Sequence, residues 1–413
     1  MFARLREGTA LCRPPMLGMR RGHAFFVRAS LFLAFAMLAP ASAHAYPWMI
    51  RHHYTNCGLC HVDPSGSGPL TEYGRALGDV VLRTRTDDDG AVKPSAGFLF
   101  GAVKPPEWLD LGGDLRLMLL RSKAEKSQLI DRTIWMQLDG EATIDVGHFI
   151  ASGSLGYAPE GALGAALTRA PEKNLISRQH WLGYQDKSID LLVRLGRMNL
   201  PFGIRTVEHT LGVRQLTLTN INDQQQYGAA VAISSEKLRG ELMGIAGNLQ
   251  LRPDDYRERG YSAYLEWAPV ERLAFGASSL LTHRSRDTIK LKETWRHAHG
   301  LFARWVPGWE PLVLQTEWDW VLSSSKDEFH RSGLVSFLQA DIEFVQGMHF
   351  MATGEANNVG TRERFWTLGG WASYAWFFAP HADLRLDVIR QSIGSSLGSV
   401  GVTTLLLQGH MFL

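Results

Sequence analysis

From Leu109 to Leu413 apolar and polar side chains alternate along the chain with a period of two. In "LVLQTEWDW", Leu312, Leu314, Thr316, Trp318 and Trp320 share one mostly apolar face, while Val313, Gln315, Glu317 and Asp319 share a mostly polar one. "YSAYLEWA" sets Tyr261, Ala263, Leu265 and Trp267 against Ser262, Tyr264 and Glu266. "ADLRLDVIRQ" sets Leu384, Leu386 and Val388 against Arg385 and Asp387. Successive side chains of a strand point to opposite faces, so this period predicts strands with one apolar and one wet face. Roughly 16 such segments, many about ten residues long and divided by Gly-, Pro- or Asp-containing turns, match the strands of a membrane-spanning barrel.

A soluble β-sandwich alternates too, because one face of each sheet packs on a core. Three features favour closure instead. A sandwich of this size leaves edge strands to protect, whereas a closed barrel has none. Aromatic residues recur towards strand ends, as in "YAWFFAP", "LEWAP" and "ARWVPGW", where interfacial girdles lie. Charges alternate within strands, as a polar lumen requires, and this puts Glu317, Asp319 and Asp387 on the lumen face as solvated acids or cation attractors. The expected fold is mainly β: a transmembrane antiparallel β-barrel of about 16 strands over residues 109–413, preceded by a small α-helical domain. "VTTLLLQGHMFL" reads as the closing strand, "RLGRMNLPFG" as a strand end opening a longer loop, and "TLTNINDQQQYG" as an extracellular or lumen-lining stretch.

Upstream, "PLTEYGRALGDVVLRT" spaces Leu70, Tyr73, Leu77, Val80 and Val81 as one amphipathic helix. "TRTDDDGAVKPSAGFLFGAVKPPEW" carries an acidic run, glycines and prolines, which reads as a linker over 85–108. At the N-terminus Arg20, Arg21 and Arg28 precede the apolar "ASLFLAFAMLA", and "ASAHA" offers the small residues a signal peptidase reads. Residues 1–45 are therefore expected to be a signal peptide, with Tyr46 as the mature start. The apolar run is too short to span a bilayer.

Composition adds two points. A net charge of +2 argues against nucleic acid as a partner. No apolar run reaches 18 residues, which argues against a helical membrane protein.

Export also leaves the mature chain with two cysteines, Cys57 and Cys60, in "TNCGLCHVDPSGSG". Cys-x-x-Cys followed by His61 is the attachment pattern of c-type haem. Two thiols at that spacing can add to the two vinyl groups of one porphyrin, and the adjacent imidazole supplies an axial nitrogen to the iron. A structural zinc site needs four protein ligands, and no second Cys or Cys-His cluster completes one. A dithiol redox site would sit in a thioredoxin-like βαβ context, which is absent. A plain disulfide leaves His61 without a role. Residues 46–84 are thus expected to form a monohaem cytochrome c domain holding one covalent haem c, with Cys57, Cys60 and His61 as its cofactor-binding residues. Met49, His52 and His53 are the distal-ligand candidates in that domain, His52 first among them, with a barrel residue or an open position as alternatives. Tyr54 and Tyr73 are candidates to pack on the porphyrin.

A signal peptide, one haem motif and then a porin-sized barrel resembles the fused monohaem cytochrome–porins of iron-oxidising bacteria. Cys57, Cys60 and His61 match that family's haem-binding motif, and "RLGRMNLPFG" is similar to a strand-and-turn signature of porins. The resemblance implies residence in the outer membrane, electrons accepted from extracellular ferrous iron, and delivery to a soluble periplasmic cytochrome or other carrier. One haem cannot cross a hydrocarbon core of about 30 Å, so the expectation is a haem domain seated in the lumen from the periplasmic side. The rival is a porin for small solutes whose haem domain is a plug or sensor. An enzyme acting on a small haem ligand such as peroxide or nitric oxide ranks last, since no acid/base cluster lies near the motif.

Overall fold

The computed structural model describes residues 48–85, 90–158, 165–168, 174–206, 208, 211–252, 254–287, 291–326, 330–360 and 364–413. The expected signal peptide, residues 1–45, lies outside the described residues, as does Tyr46.

The alternating segments are strands: β1 (Leu109–Ala124), β2 (Ile130–Val146), β3 (Phe149–Ala158), β4 (Asn174–Ile176), β5 (His180–Asp186), β6 (Leu191–Met198), β7 (Gln226–Ser234) and β8 (Leu238–Gly247). There follow β9 (Arg259–Val270), β10 (Leu273–Arg284), β11 (Thr294–Trp305), β12 (Leu312–Ser325), β13 (Arg331–Val345), β14 (Met348–Asn357), β15 (Thr367–Ala379), β16 (Ala382–Ser395) and β17 (Gly398–Phe412). Both β4 and β5 pair with β3, so they are two pieces of one broken strand. The 17 segments therefore make a 16-strand antiparallel barrel. β1 bonds to β2 on one side and to β17 on the other, which closes the sheet and excludes the sandwich.

The two faces of each strand are inverted relative to a soluble protein. On β12 the buried set is Val313, Gln315, Glu317, Asp319 and Val321, while Trp318 and Trp320 are exposed. On β11 Leu301 is 67% exposed beside buried Arg296 and Arg304. On β16 Leu384, Leu386 and Val388 are exposed and Arg385 and Asp387 are buried. Apolar side chains outside and polar ones inside is the arrangement hydrocarbon demands of a barrel wall. No helix among the described residues is long and apolar enough to cross a membrane; the strands do so.

The two rims differ. At the rim that holds the start of β1 and the end of β17, turns are tight: Gln346 and Gly347 alone join β13 to β14, and Pro380 and His381 join β15 to β16. The opposite rim carries the long connections, above all residues 199–225 between β6 and β7. Short periplasmic turns and long extracellular loops characterise outer-membrane barrels.

Two stretches leave the wall and enter the lumen. Residues 199–206, 208 and 211–225 fold inward, and their helix Gly212–Leu216 packs on β12, β13 and β14. Gly203, at φ 58°, approaches Glu317 so closely that a Cβ would lie 1.9 Å from Oε1. The polar "TLTNINDQQQYG" is therefore largely lumen structure.

Residues 48–85 form the second stretch, inside the tight-turn rim. Arg51 pairs with Asp341 of β13 and donates to the Pro311 carbonyl at 2.7 Å. Gln346 donates to the carbonyls of Val80 and Arg83, and the Thr84 amide to that of Phe377.

The expected single helix over 69–84 is shorter and faces differently. An α-helix covers Glu72–Leu77 and continues as a wider turn over Gly78–Leu82. Tyr73 is exposed, Val80 and Val81 are half-buried, and the inner face is Gly74, Arg75, Leu77, Asp79 and Leu82. The reason is the surroundings: a polar lumen gives Arg75 the Leu70 and Leu111 carbonyls and Asp110 as partners, and Asp79 takes Arg83. Burial here does not select apolar side chains.

Candidate functional site

The cysteine motif is a single tight turn. Residues Cys57–Leu59 form a 3-10 helix capped by Asn56, whose side chain accepts from the Gly58 amide. The Cys60 and His61 amides both donate to the Cys57 carbonyl, at 3.2 and 3.0 Å. The helix that follows clamps this turn: Thr71 bonds the Leu59 carbonyl through its hydroxyl and the Cys60 carbonyl through its amide, then caps the Gly74 amide. Gly74 has no freedom to be another residue, since a Cβ there would lie 2.3 Å from the Cys60 carbonyl oxygen.

The wall fixes the same segment from several strands. Arg194 of β6 bridges Asp63 and Glu241, all three buried. Arg205 donates to the Pro64 carbonyl at 3.1 Å, Arg304 of β11 to that of Thr55 at 3.4 Å, and Arg239 of β8 reaches the Cys57 sulfur at 3.5 Å. Asn199 donates to the hydroxyls of Ser65 and Ser67, and Ser67 donates to Gln179.

Cys57, Cys60 and His61 line one cavity of about 1500 Å³. Its apolar wall includes Leu70, Leu77, Leu82 and Phe377, and Ile221, Asn222 and Gln225 of the inward loop also border it. Both cysteines are free thiols. Burial, reinforced by Cys57, pushes the Cys60 thiol up to about 12. Burial also lowers the His61 pKa against the opposing pull of the Gly68 backbone, Asp114 and Asp63, which favours the neutral imidazole a metal needs. The Nδ1 of His61 is buried with no hydrogen-bond partner. Two thiols, an imidazole with an orphaned nitrogen and a large adjoining cavity fit a covalently held haem.

The distal candidates separate. Met49 is buried and lines the cavity. His52, first among the sequence expectations, does not line it: its Nε2 lies 2.9 Å from Glu343. His53 turns towards Glu271, 3.9 Å away. Tyr54 and Tyr73 bond each other at 2.5 Å and stay off the cavity wall. Burial and that contact raise the Tyr54 pKa.

The acids expected to be solvated are instead buried. Glu317 takes Arg214 of the inward loop and the Ile204 amide, and Asp387 takes Arg385 and Ser373. Sequence reading did not single out Arg116 of β1 or His410 of β17, both on the cavity wall. The alternation of "LLLQGHMF" carried the signal, because it places Gln408 and His410 on the inward face.

No protein-family model matches the chain, and no curated protein sequence matches it either. Solved structures do. The chain is similar to a loop-deletion mutant of OmpT, an outer membrane protein of Vibrio cholerae, at 10% identity and a TM-score of 0.58, covering 74% of this chain and 99% of that one. An anion-selective porin from Comamonas acidovorans gives 11% identity and 0.54 over 74% and 99%, and the outer membrane channel DcaP of Acinetobacter baumannii 10% and 0.53 over 74% and 97%. At such identities the likeness concerns architecture, and on that architecture the closed strands, inverted faces and unequal rims agree: the chain has the fold of an outer-membrane porin barrel.

Proposed function

We propose that this barrel is an outer-membrane electron conduit whose lumen holds one covalent haem c. Cys57 and Cys60 would carry the thioether bonds, and His61 would supply a nitrogen and Met49, on the same cavity wall, a sulfur to the iron. When bound, the group supplies an iron that alternates between ferric and ferrous states, one electron at a time. The chain's own part is to hold it still and away from bulk water inside the wall. Per electron, a one-electron donor at the long-loop rim is oxidised, ferrous iron to ferric iron in the reading the family resemblance suggests. A soluble periplasmic carrier at the tight-turn rim is reduced. The observation that carries this reading is that Cys57, Cys60 and His61 border one lumen cavity on a segment fastened to the wall by Arg51, Asp63 and the Ser65–Ser67 pair.

A porin for small solutes is the second reading, favoured by the barrel's likeness to channels, one of them an anion-selective porin. Two measurements on protein purified from outer membranes separate the readings. The conduit predicts sharp reduced c-type absorption bands after anaerobic ferrous iron, and little ion conductance in planar bilayers. Haem that stays oxidised until dithionite is added would remove iron as donor. Absence of haem together with steady conductance would leave the porin.

A further inference from the structure

We propose that Arg116 is the anion anchor of the lumen cavity, the residue that takes a propionate carboxylate of the bound macrocycle; this rests on the haem reading above. Arg116 borders both the large cavity and a neighbouring one of about 700 Å³. The other arginines on these walls are committed. Arg178 holds Asp139 and the carbonyls of Met136 and Asn222. Arg205 holds Glu241 and the Pro64 carbonyl, and Arg385 holds Glu208 and Asp387.

Arg116 differs from all three. Among the described residues no carboxylate lies within ion-pair distance of it, and its Nε is buried without a hydrogen-bond partner. Among the described residues its hydrogen-bonded neighbour is His410, whose Nε2 lies 3.2 Å from Nη2. That histidine is already spoken for: its two ring nitrogens face Asp383 and Asp114, each at 2.8 Å, so no acceptor remains for the guanidinium. A half-buried guanidinium whose Nε–H is buried and vacant is costly unless an acceptor completes it. A planar fork of N–H donors matches a carboxylate better than any other group.

The strand geometry agrees. The β1–β2 ladder carries its irregularity at this residue, stepping from Arg116–Gln137 to Leu117–Trp135 and leaving Met136 unopposed. Bulges re-aim a side chain at sites where a barrel needs one. Haem brings two carboxylates into a cavity whose remaining cations are neutralised, and Arg116 is the cation left to meet one.

The test uses full-length protein from outer membranes, comparing wild type with Arg116→Gln and Arg116→Lys. Haem staining of a denaturing gel reads covalent attachment independently of this site, because Cys57 and Cys60 make those bonds. Spectroelectrochemical titration then reads the midpoint potential. Loss of the cation leaves the carboxylate uncompensated and favours the ferric state, so R116Q should retain haem and titrate at a lower potential. R116K should fall between it and the wild type. An unchanged potential in haem-bearing R116Q overturns the anchor while leaving the conduit intact; a wild type without haem overturns the conduit. If R116Q fails to reach the folded, heat-modifiable form, R116K decides alone, since it keeps the charge and loses the fork: a lowered potential supports the anchor, and the wild-type value overturns it.

Discussion

The two stretches that fill the lumen enter it from opposite rims, and both are fastened around the wall. Residues 48–85 are gripped from many sides: Arg51 by Asp341 of β13, Asp63 by Arg194 of β6, Thr55 by Arg304 of β11, Arg75 by Asp110 of β1. Residues 199–225 are gripped as widely: Arg205 pairs with Glu241 of β8 and Glu208 with Arg385 of β16, while Ser262 of β9, Arg296 of β11 and Arg178 donate to the carbonyls of Pro201, Thr217 and Asn222. Gly203 donates to Ser278 of β10, Ile204 and Arg214 to Glu317 of β12, and Gly212 to Glu355 of β14. A segment tied around the circumference cannot shift without breaking buried ion pairs on opposite walls. The cysteine motif lies on the stretch that enters from the tight-turn rim, and the loop from the other rim borders its cavity.

The sharpest way to separate the two stretches is Arg194→Ala. It strips the cation from between Asp63 and Glu241, and Glu241 keeps Arg205 while Asp63 is left buried without its partner. Removing one member of a buried pair costs about 3–5 kcal/mol. The expected result is protease cleavage within residues 48–85 of a barrel that still shows heat-modifiable migration. Resistance equal to the wild type would mean that the circumferential ties are redundant.

How much of this was legible beforehand follows from the range of the signal. Period-two alternation is local, so strands such as β12 and β16 and their two faces could be read from "LVLQTEWDW" and "ADLRLDVIRQ". The cysteine motif is local too. What filled the lumen was not, because Asp63 and Arg194 meet only once the barrel has closed. The helix pattern misled for a related reason. Apolar spacing locates a buried face only where the surroundings are apolar, and here Arg75 and Asp79 are buried while Tyr73 is exposed. The order among the distal candidates turns on local geometry: within the 3-10 turn Trp48–His52, Met49 faces the cavity and His52 faces Glu343.

Glu317→Gln tests the other stretch with a smaller effect. Glutamine keeps an acceptor for the Ile204 amide but loses the charge that Arg214 meets at 2.6 Å. Hydrogen bonds to charged groups contribute about 1.5–3 kcal/mol. Limited proteolysis should then cut residues 199–225 faster and leave 48–85 as resistant as before. Equal acceleration at both stretches would show that they move as one body.

The smallest effect concerns Cys60 itself, in chain produced without haem attachment. Burial holds its thiol protonated up to about 12, from an ordinary value near 9.0. An acid whose pKa is raised by folding binds its proton more tightly in the folded state. Its contribution is therefore complete below the unfolded value and is lost as pH climbs from there towards the folded one. Alkylation at pH 8 reads the same quantity through the thiolate. A higher pKa makes that thiolate rarer but more nucleophilic, with a Brønsted slope of about 0.4–0.5, so Cys60 should react on the order of 50-fold more slowly in the folded chain than in urea. The gap should narrow steadily with pH above 9, as the unfolded thiol saturates while the buried one still gains thiolate. A Cys60 that reacts as fast folded as unfolded would show the turn open to water, and the firmly held stretch would then be loose at the point where its chemistry lies.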